Sequence, residues 1–191
     1  TSYEVEMAWY KNLAATSNSN CRIPRCYFSE TEGEHQIMVL EDLDAAGFEL
    51  RRSNLTVEET KLCLVWLANF HATFMHKNSA GLWKEGTYWH LETRPDEWEA
   101  MQEGWLKSNA KKLDEKLKNC QFQTIVHGDA KVANFCFSND MKSVAAVDFQ
   151  YVGGGCGMKD LVYFLGSCLT ELECEKHEDE LLEYYFRILK K

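Results

Sequence analysis

The sequence predicts an α+β fold in which a short mixed segment is followed by a larger, mainly helical one. Two patterns predict it. Apolar residues recur at helical spacing over four stretches, and short apolar or β-branched runs bounded by polar turns lie between them. Length sets the scale: 191 residues with 45% hydrophobic content can bury one sizeable core and a small second lobe. No internal repeat is present.

Residues 3–13 read as a first helix, with Val5, Trp9 and Leu13 on one side, ended by the polar run Thr16-Ser17-Asn18-Ser19-Asn20. Residues 26–28 and 36–40 read as paired strands across a polar turn. Thr56 and Glu59 form a capping box for a long helix running to Met75, with Leu62, Val65, Ala68, Ala72 and Met75 facing inward. A second helical stretch covers residues 96–118. Three short strands follow, at residues 124–126, 135–137 and 144–147, the last two joined by the turn residues Ser138-Asn139-Asp140. The chain is helical again from Asp160 to its end.

The first two of those strands flank His127-Gly128-Asp129-Ala130-Lys131-Val132-Ala133-Asn134, and the third delivers Asp148-Phe149-Gln150. Asp129 and Asn134 sit on a loop that can turn both side chains into one pocket. The hairpin then brings Asp148 back beside Asn134. Phosphoryl transfer needs a carboxylate beside the attacking hydroxyl, a cation near the moving group and oxygen ligands for magnesium. Asp129, Lys131 and the pair Asn134 and Asp148 supply these in turn, and one amide with one carboxylate suffices because magnesium takes few protein ligands. The run Gly153-Gly154-Gly155-Cys156-Gly157 lacks the Gly-Lys-Ser/Thr of a P-loop and the spacing of a dinucleotide fingerprint. It reads instead as a flexible segment that lets backbone approach substrate and phosphates.

This pattern resembles the protein kinase-like phosphotransferases of the aminoglycoside and choline type, in which H-G-D-x-x-x-x-N stands where protein kinases carry H-R-D-x-x-x-x-N. More closely, it resembles the ecdysteroid kinase-like, or choline kinase-like, family. The residues that carry the likeness are Gly86-Thr87-Tyr88-Trp89-His90-Leu91, Thr93-Arg94-Pro95-Asp96-Glu97, the loop from His127 to Asn134, Val147-Asp148-Phe149-Gln150, and Lys159-Asp160-Leu161-Val162-Tyr163-Phe164-Leu165. Upstream, Ile37-Met38-Val39-Leu40-Glu41-Asp42-Leu43 is similar to the family's hinge strand, and Tyr3-Glu4-Val5-Glu6-Met7-Ala8-Trp9-Tyr10 to its first helix.

The resemblance implies a partial N-lobe over residues 1–43 and a helical C-lobe over 44–191. It implies ATP and Mg2+ as cofactors and a small-molecule alcohol as phosphoryl acceptor. Asp129 would be the base, Lys131 would neutralise phosphoryl oxygens, and Asn134 and Asp148 would hold the metal. The carbonyl of Glu41 and the amide of Leu43 would meet the adenine edge. Glu6 resembles the first-helix Glu that pairs with a nucleotide-gripping Lys, and a helix-surface Glu is its plain alternative. His127 would pack under the loop, and Asp160, by itself an ordinary helix-start charge, would brace it. Tyr88, Trp89 and His90 are candidates for the acceptor pocket. The family places a Gly-rich loop and a Lys-bearing strand before its first helix, and here the first Gly is Gly33. The expectation is a fragment of a longer protein, with a weakened grip on ATP.

Two other readings keep the motif. One is a choline or aminoglycoside kinase, which would need an aromatic cage or an acidic pocket. The other is a non-catalytic pseudokinase acting as an interaction module. A net charge of -9 argues against nucleic-acid and anionic-membrane partners, which demand clustered Lys and Arg. The longest apolar stretch, residues 62–68, is far too short to span a bilayer. Of eight cysteines, Cys63, Cys136 and Cys168 lie inside apolar patterns, as small hydrophobes of a reducing, cytoplasmic setting do. Cys168, Cys174 and His177 lack the fourth ligand of a zinc site.

Overall fold

The structure, a computed structural model, describes residues 1–33, 35–87 and 90–190. Helix α1 (Ser2–Asn12) begins with a capping box between Thr1 and Glu4 and buries Val5, Glu6, Trp9 and Tyr10. An antiparallel hairpin follows, β1 (Cys26–Glu32) with β2 (His35–Leu40), longer than the sequence pattern suggests because its outer half pairs through polar residues. Tyr27, Phe28, Ile37 and Val39 stay exposed on it.

Helix α2 (Val57–Thr73) is the central element and opens with the expected Thr56 and Glu59 box. Its buried side is not the expected one. Of the residues expected inward only Ala68 is buried, together with Cys63, Leu64, Leu67, Phe70 and His71, whereas Leu62, Val65 and Met75 are half-buried and Ala72 is exposed. The run from Leu62 to Ala68 is apolar all round, so its spacing selects no single face, and tertiary packing decides.

The stretch expected as one helix over 96–118 is two, α3 (Pro95–Ala100) and α4 (Trp105–Lys118): the chain leaves the first at Met101, whose ψ of 144° is not helical, and enters the second from the extended Gly104. The last block also divides, into α5 (Met158–Cys168) and α6 (Glu171–Leu189). Thr170 and Glu173 make a further capping box at that break, a signal present in the sequence.

Strand β3 (Gln123–Val126) pairs antiparallel with β6 (Gly153–Cys156), and β4 (Phe135–Phe137) pairs with β5 (Val144–Ala146) as expected. The glycine run is therefore a strand and not a flexible phosphate-facing segment. Its lack of side chains serves chain crossing: a Cβ on Gly153 would lie 2.3 Å from the Trp83 carbonyl oxygen, and one on Gly86 2.5 Å from the Gly153 nitrogen. Gly86 and Gly154 hydrogen-bond across this crossing at 2.8 Å.

The core joins α1, α2, α5, α6 and the strands in one cluster. Its centre is aromatic. Trp9 stacks on Phe149 at 5.0 Å, Trp66 stacks on Phe70 at 4.8 Å, and Phe74 meets the edge of Trp9 at 5.2 Å. Each such pair contributes about 0.5–1.5 kcal/mol beyond its burial. Because Phe149 follows Asp148, this cluster also anchors the candidate site. Among the described residues no helix is long and apolar enough to cross a membrane.

Candidate active site

The loop leaves β3 through Gly128, whose φ of +83° belongs to the left-handed region, and a Cβ there would lie 2.0 Å from the Tyr151 carbonyl oxygen. Only glycine fits. The chain then tightens, with the Lys131 amide donating to the Asp129 carbonyl at 2.8 Å and the Asn134 amide to the Lys131 carbonyl at 2.9 Å. This turn gathers the side chains. Asp129 Oδ2 accepts from Lys131 Nζ at 2.8 Å and from Asn134 Nδ2 at 3.0 Å, while the same Nδ2 also donates to the Asp129 carbonyl at 2.8 Å. With Nδ2 so committed, Asn134 Oδ1 is the atom free to meet a cation. The hydrogen bond to Asp129 holds the Lys131 ammonium above its usual pKa.

Asp148 comes back beside this cluster, because the Val147 amide donates to the Asn134 carbonyl at 3.0 Å. Its φ of +67° is unusual for a residue with a side chain. Asp129 is 2% exposed. The Oδ1 atoms of Asp129 and Asp148 are both buried and accept no hydrogen bond among the described residues. Such orphaned acceptors are rare and each calls for an explanation. Among the described residues no group of three or more His, Cys, Asp and Glu could hold a metal ion. A cation here would rest on Asp148 and the Asn134 amide, a donor set of hard oxygens that fits magnesium with phosphate oxygens completing it.

His127 is fully buried under the loop. Its Nε2 donates to the Val147 carbonyl at 3.0 Å, which leaves Nδ1 to accept the Asp129 amide at 3.3 Å. Both ring nitrogens serve the loop's shape, so the ring is not placed as a base. Asp160 on α5 accepts the amides of His127 at 2.6 Å and Gly128 at 2.9 Å. Burial works to raise its pKa, but the hydrogen bond from His71, with the loop contacts, wins and holds it below the usual value.

The remaining candidates lie apart from Asp129. Glu41 carries a structural load, since Arg22 reaches both its carboxylate oxygens at 2.6 Å and the Arg25 amide donates to it at 2.9 Å. The carbonyl of Glu41 and the amide of Leu43 take no hydrogen bond among the described residues. Glu6 is 7% exposed and its carboxylate accepts the Phe149 amide at 3.0 Å, so it faces the Asp148 segment and not the helix surface. Burial raises its pKa above the usual range.

A cavity of about 410 Å³ opens at Gly128, walled by α4 and α5. Leu106, Leu113, Leu117, Met158 and Val162 make it apolar, and His90 is among its lining residues. Tyr88 and Trp89, the other two residues expected there, lie outside the described residues. Sequence reasoning missed α4 as a wall, although Leu106, Leu113 and Leu117 stand at helical spacing. It also missed His71, hidden in the mainly apolar sequence of α2.

A family model described as the ecdysteroid kinase-like family matches residues 3–82 and 87–191. The chain belongs to this family. Among solved structures, this ecdysteroid kinase-like chain is similar to the amicoumacin kinase hAmiN in complex with AMP-PNP, Ca2+ and Ami. The TM-score is 0.63 at 14% identity, over 100% of this chain and 62% of that one. It is also similar to an aminoglycoside-3'-phosphotransferase of type VIII, with a TM-score of 0.50 at 17% identity, over 96% of this chain and 71% of that one. Likeness at such identity concerns the fold, which is that of the protein kinase-like phosphotransferases. No curated protein sequence matches the chain.

Proposed function

We propose that this ecdysteroid kinase-like chain transfers the γ-phosphoryl group of ATP to the hydroxyl of an apolar small molecule. The observation that carries the reading is the pair of buried, unpaired Oδ1 atoms of Asp129 and Asp148 around Asn134. A buried acceptor left unpaired costs about 1–3 kcal/mol, a cost that a non-catalytic binding module has no reason to keep twice in one site. In this reading Asp129 Oδ1 accepts the hydrogen bond of the attacking hydroxyl and takes its proton as the new O–P bond forms and the bond from the γ-phosphorus to the bridging oxygen breaks, releasing ADP. Lys131, paired with Asp129 at 2.8 Å, would neutralise the phosphoryl oxygens. Asn134 Oδ1 and Asp148 would hold Mg2+, which supplies charge neutralisation between the nucleotide phosphates. The Glu41 carbonyl and Leu43 amide would meet the adenine edge, with residues 1–43 as a partial N-lobe over the C-lobe of 44–191.

The cavity supports the acceptor class. About 410 Å³ of mostly aliphatic wall opening at Gly128 suits a fused-ring alcohol. Asp114, a carboxylate in its lining, is already paired with Lys118 at 2.9 Å, which is a poor match for a polycationic aminoglycoside. Among the described residues its walls are mainly aliphatic, with Tyr163 and His90 as aromatic lining, where a quaternary ammonium calls for several aromatic faces. The test is ADP release from magnesium-ATP with a sterol alcohol, choline or an aminoglycoside as acceptor. Release with the sterol alone is expected. Preference for either of the others refutes the acceptor class, and no acceptor-dependent release with any alcohol favours a binding module.

A further inference from the structure

Behind the loop lie three buried side chains that the chemistry above does not use directly. They are His71 on α2, Asp160 on α5 and Tyr185 on α6, exposed by 0%, 2% and 2%. They form a line. Tyr185 Oη is 2.8 Å from His71 Nδ1, and His71 Nε2 is 3.0 Å from Asp160 Oδ2. Asp160 then accepts the His127 amide on Oδ2 and the Gly128 amide on Oδ1. An ionised carboxylate can only accept, so His71 Nε2 carries a proton. A neutral ring then has an acceptor at Nδ1, and the Tyr185 hydroxyl is the donor that meets it.

We infer that Tyr185 is a positioning residue of the catalytic loop: its hydroxyl donates to Nδ1 and so keeps the His71 ring neutral, while the Nε2–H held by Asp160 completes the line that fixes the amides just before Asp129. The part that concerns catalysis rests on the function proposed above. Two further observations support the hydroxyl's role. Burial first, and then the Asp160 charge, push the Tyr185 phenol well above its usual pKa, so it remains an O–H donor. Gly157, where the chain turns into α5, runs against the Tyr185–His71 contact. A Cβ there would lie 2.7 Å from His71 Nδ1 and 2.9 Å from Tyr185 Oη. Space around the bond is thus filled by backbone, and the Tyr185 hydroxyl links α6 to the His71–Asp160 pair.

The experiment compares the unaltered chain with Tyr185→Phe, which keeps the ring packing and removes one oxygen, and with Gly157→Ala, which crowds the same bond without touching α6. Long-range 1H–15N spectra read the His71 tautomer, and amide hydrogen exchange reads the loop. The unaltered chain should show a single neutral Nε2–H ring. Both variants should show partly doubly protonated His71, with exchange at His127 and Gly128 faster by about tenfold, the effect of losing one net hydrogen bond, while amides inside α2 keep their rates. A doubly protonated His71 in the unaltered chain overturns the inference. So does Tyr185→Phe with an unchanged ring and unchanged loop exchange; should that variant fail to fold, Gly157→Ala decides by the same two readouts. Neither readout needs turnover. An intact tether in a protein that transfers no phosphoryl group would sink only the proposed function, and the reverse result only the tether.

Discussion

Replacing Asp129 by Asn separates catalysis from stability, and the structure sets both magnitudes. Asp129 Oδ2 is held by Lys131 and Asn134, while Oδ1 is buried without a partner among the described residues. An Asn can keep its carbonyl oxygen toward Lys131 and Asn134 and put its NH2 where Oδ1 stood. That atom donates and cannot take a proton. Loss of a general base lowers turnover by about two to four orders of magnitude, or about 2.7–5.5 kcal/mol of barrier.

The stability terms are smaller and opposed. Lys131 is 40% exposed, so its ion pair with Asp129 is screened and contributes about 0–1 kcal/mol. Beside that, the substitution exchanges an unpaired buried anionic oxygen for an unpaired neutral donor, and their desolvation costs of about 1–3 kcal/mol each largely offset. The expected net change is within about 1 kcal/mol of zero, with ATP affinity nearly unchanged because the side chain acts on the acceptor. Steady-state turnover, calorimetric ATP titration and urea unfolding measure the three quantities. Turnover within a factor of a few of the unaltered protein would remove Asp129 from its role. A stability loss above about 3 kcal/mol would mean that its unpaired oxygen has a structural partner after all.

Asp148→Ala should weaken magnesium-dependent nucleotide binding more than Asn134→Ala does, because it removes the only anionic oxygen proposed for the cation; equal, small effects in a magnesium titration would place the metal elsewhere. Gly128→Ala forces a left-handed φ on a residue with a Cβ and drives that Cβ into the Tyr151 carbonyl. A loss of about 2 kcal/mol or more, read by urea unfolding, is expected, and an unchanged midpoint would refute the loop geometry. Asp160 has a depressed folded-state pKa, so its stabilisation is complete above the ordinary aspartate value of about 3.9 and is lost as pH falls through the lower folded value. Asp160→Asn should therefore flatten the acid limb of the stability profile below about pH 4, and an unaltered acid limb would show that Asp160 binds its proton equally in both states.

The hairpin of the candidate site was legible because its signals are local. Strand character on either side of the loop, a polar turn and fixed spacing place Asp129, Asn134 and Asp148 with no knowledge of the rest of the chain. The Thr56 and Glu59 box was legible for the same reason. The inward face of α2 was not, since a helix apolar on all sides takes its orientation from its neighbours. Nor was the role of Gly153, Gly154 and Gly155, because a glycine chosen for a crossing backbone looks in sequence like one chosen for flexibility. His71 and Tyr185 lie 114 positions apart, and a single hydrogen bond at that separation leaves no periodic trace.

Asp148 shows how the two kinds of information meet. A side chain in the left-handed region costs about 1–3 kcal/mol and persists only where its surroundings over-determine the backbone. Here they do so on both flanks. Before it, Val147 donates to the Asn134 carbonyl and accepts from His127 Nε2, each at 3.0 Å. After it, Phe149 donates to Glu6 and is locked between Trp9 at 5.0 Å and His127 at 4.7 Å. The aromatic core is thus what aims the carboxylate. Truncating Trp9 would be felt at Asp148 before it was felt at the loop's own hydrogen bonds, because the stacked Trp9–Phe149 pair ties α1 packing to that strained peptide from the apolar side.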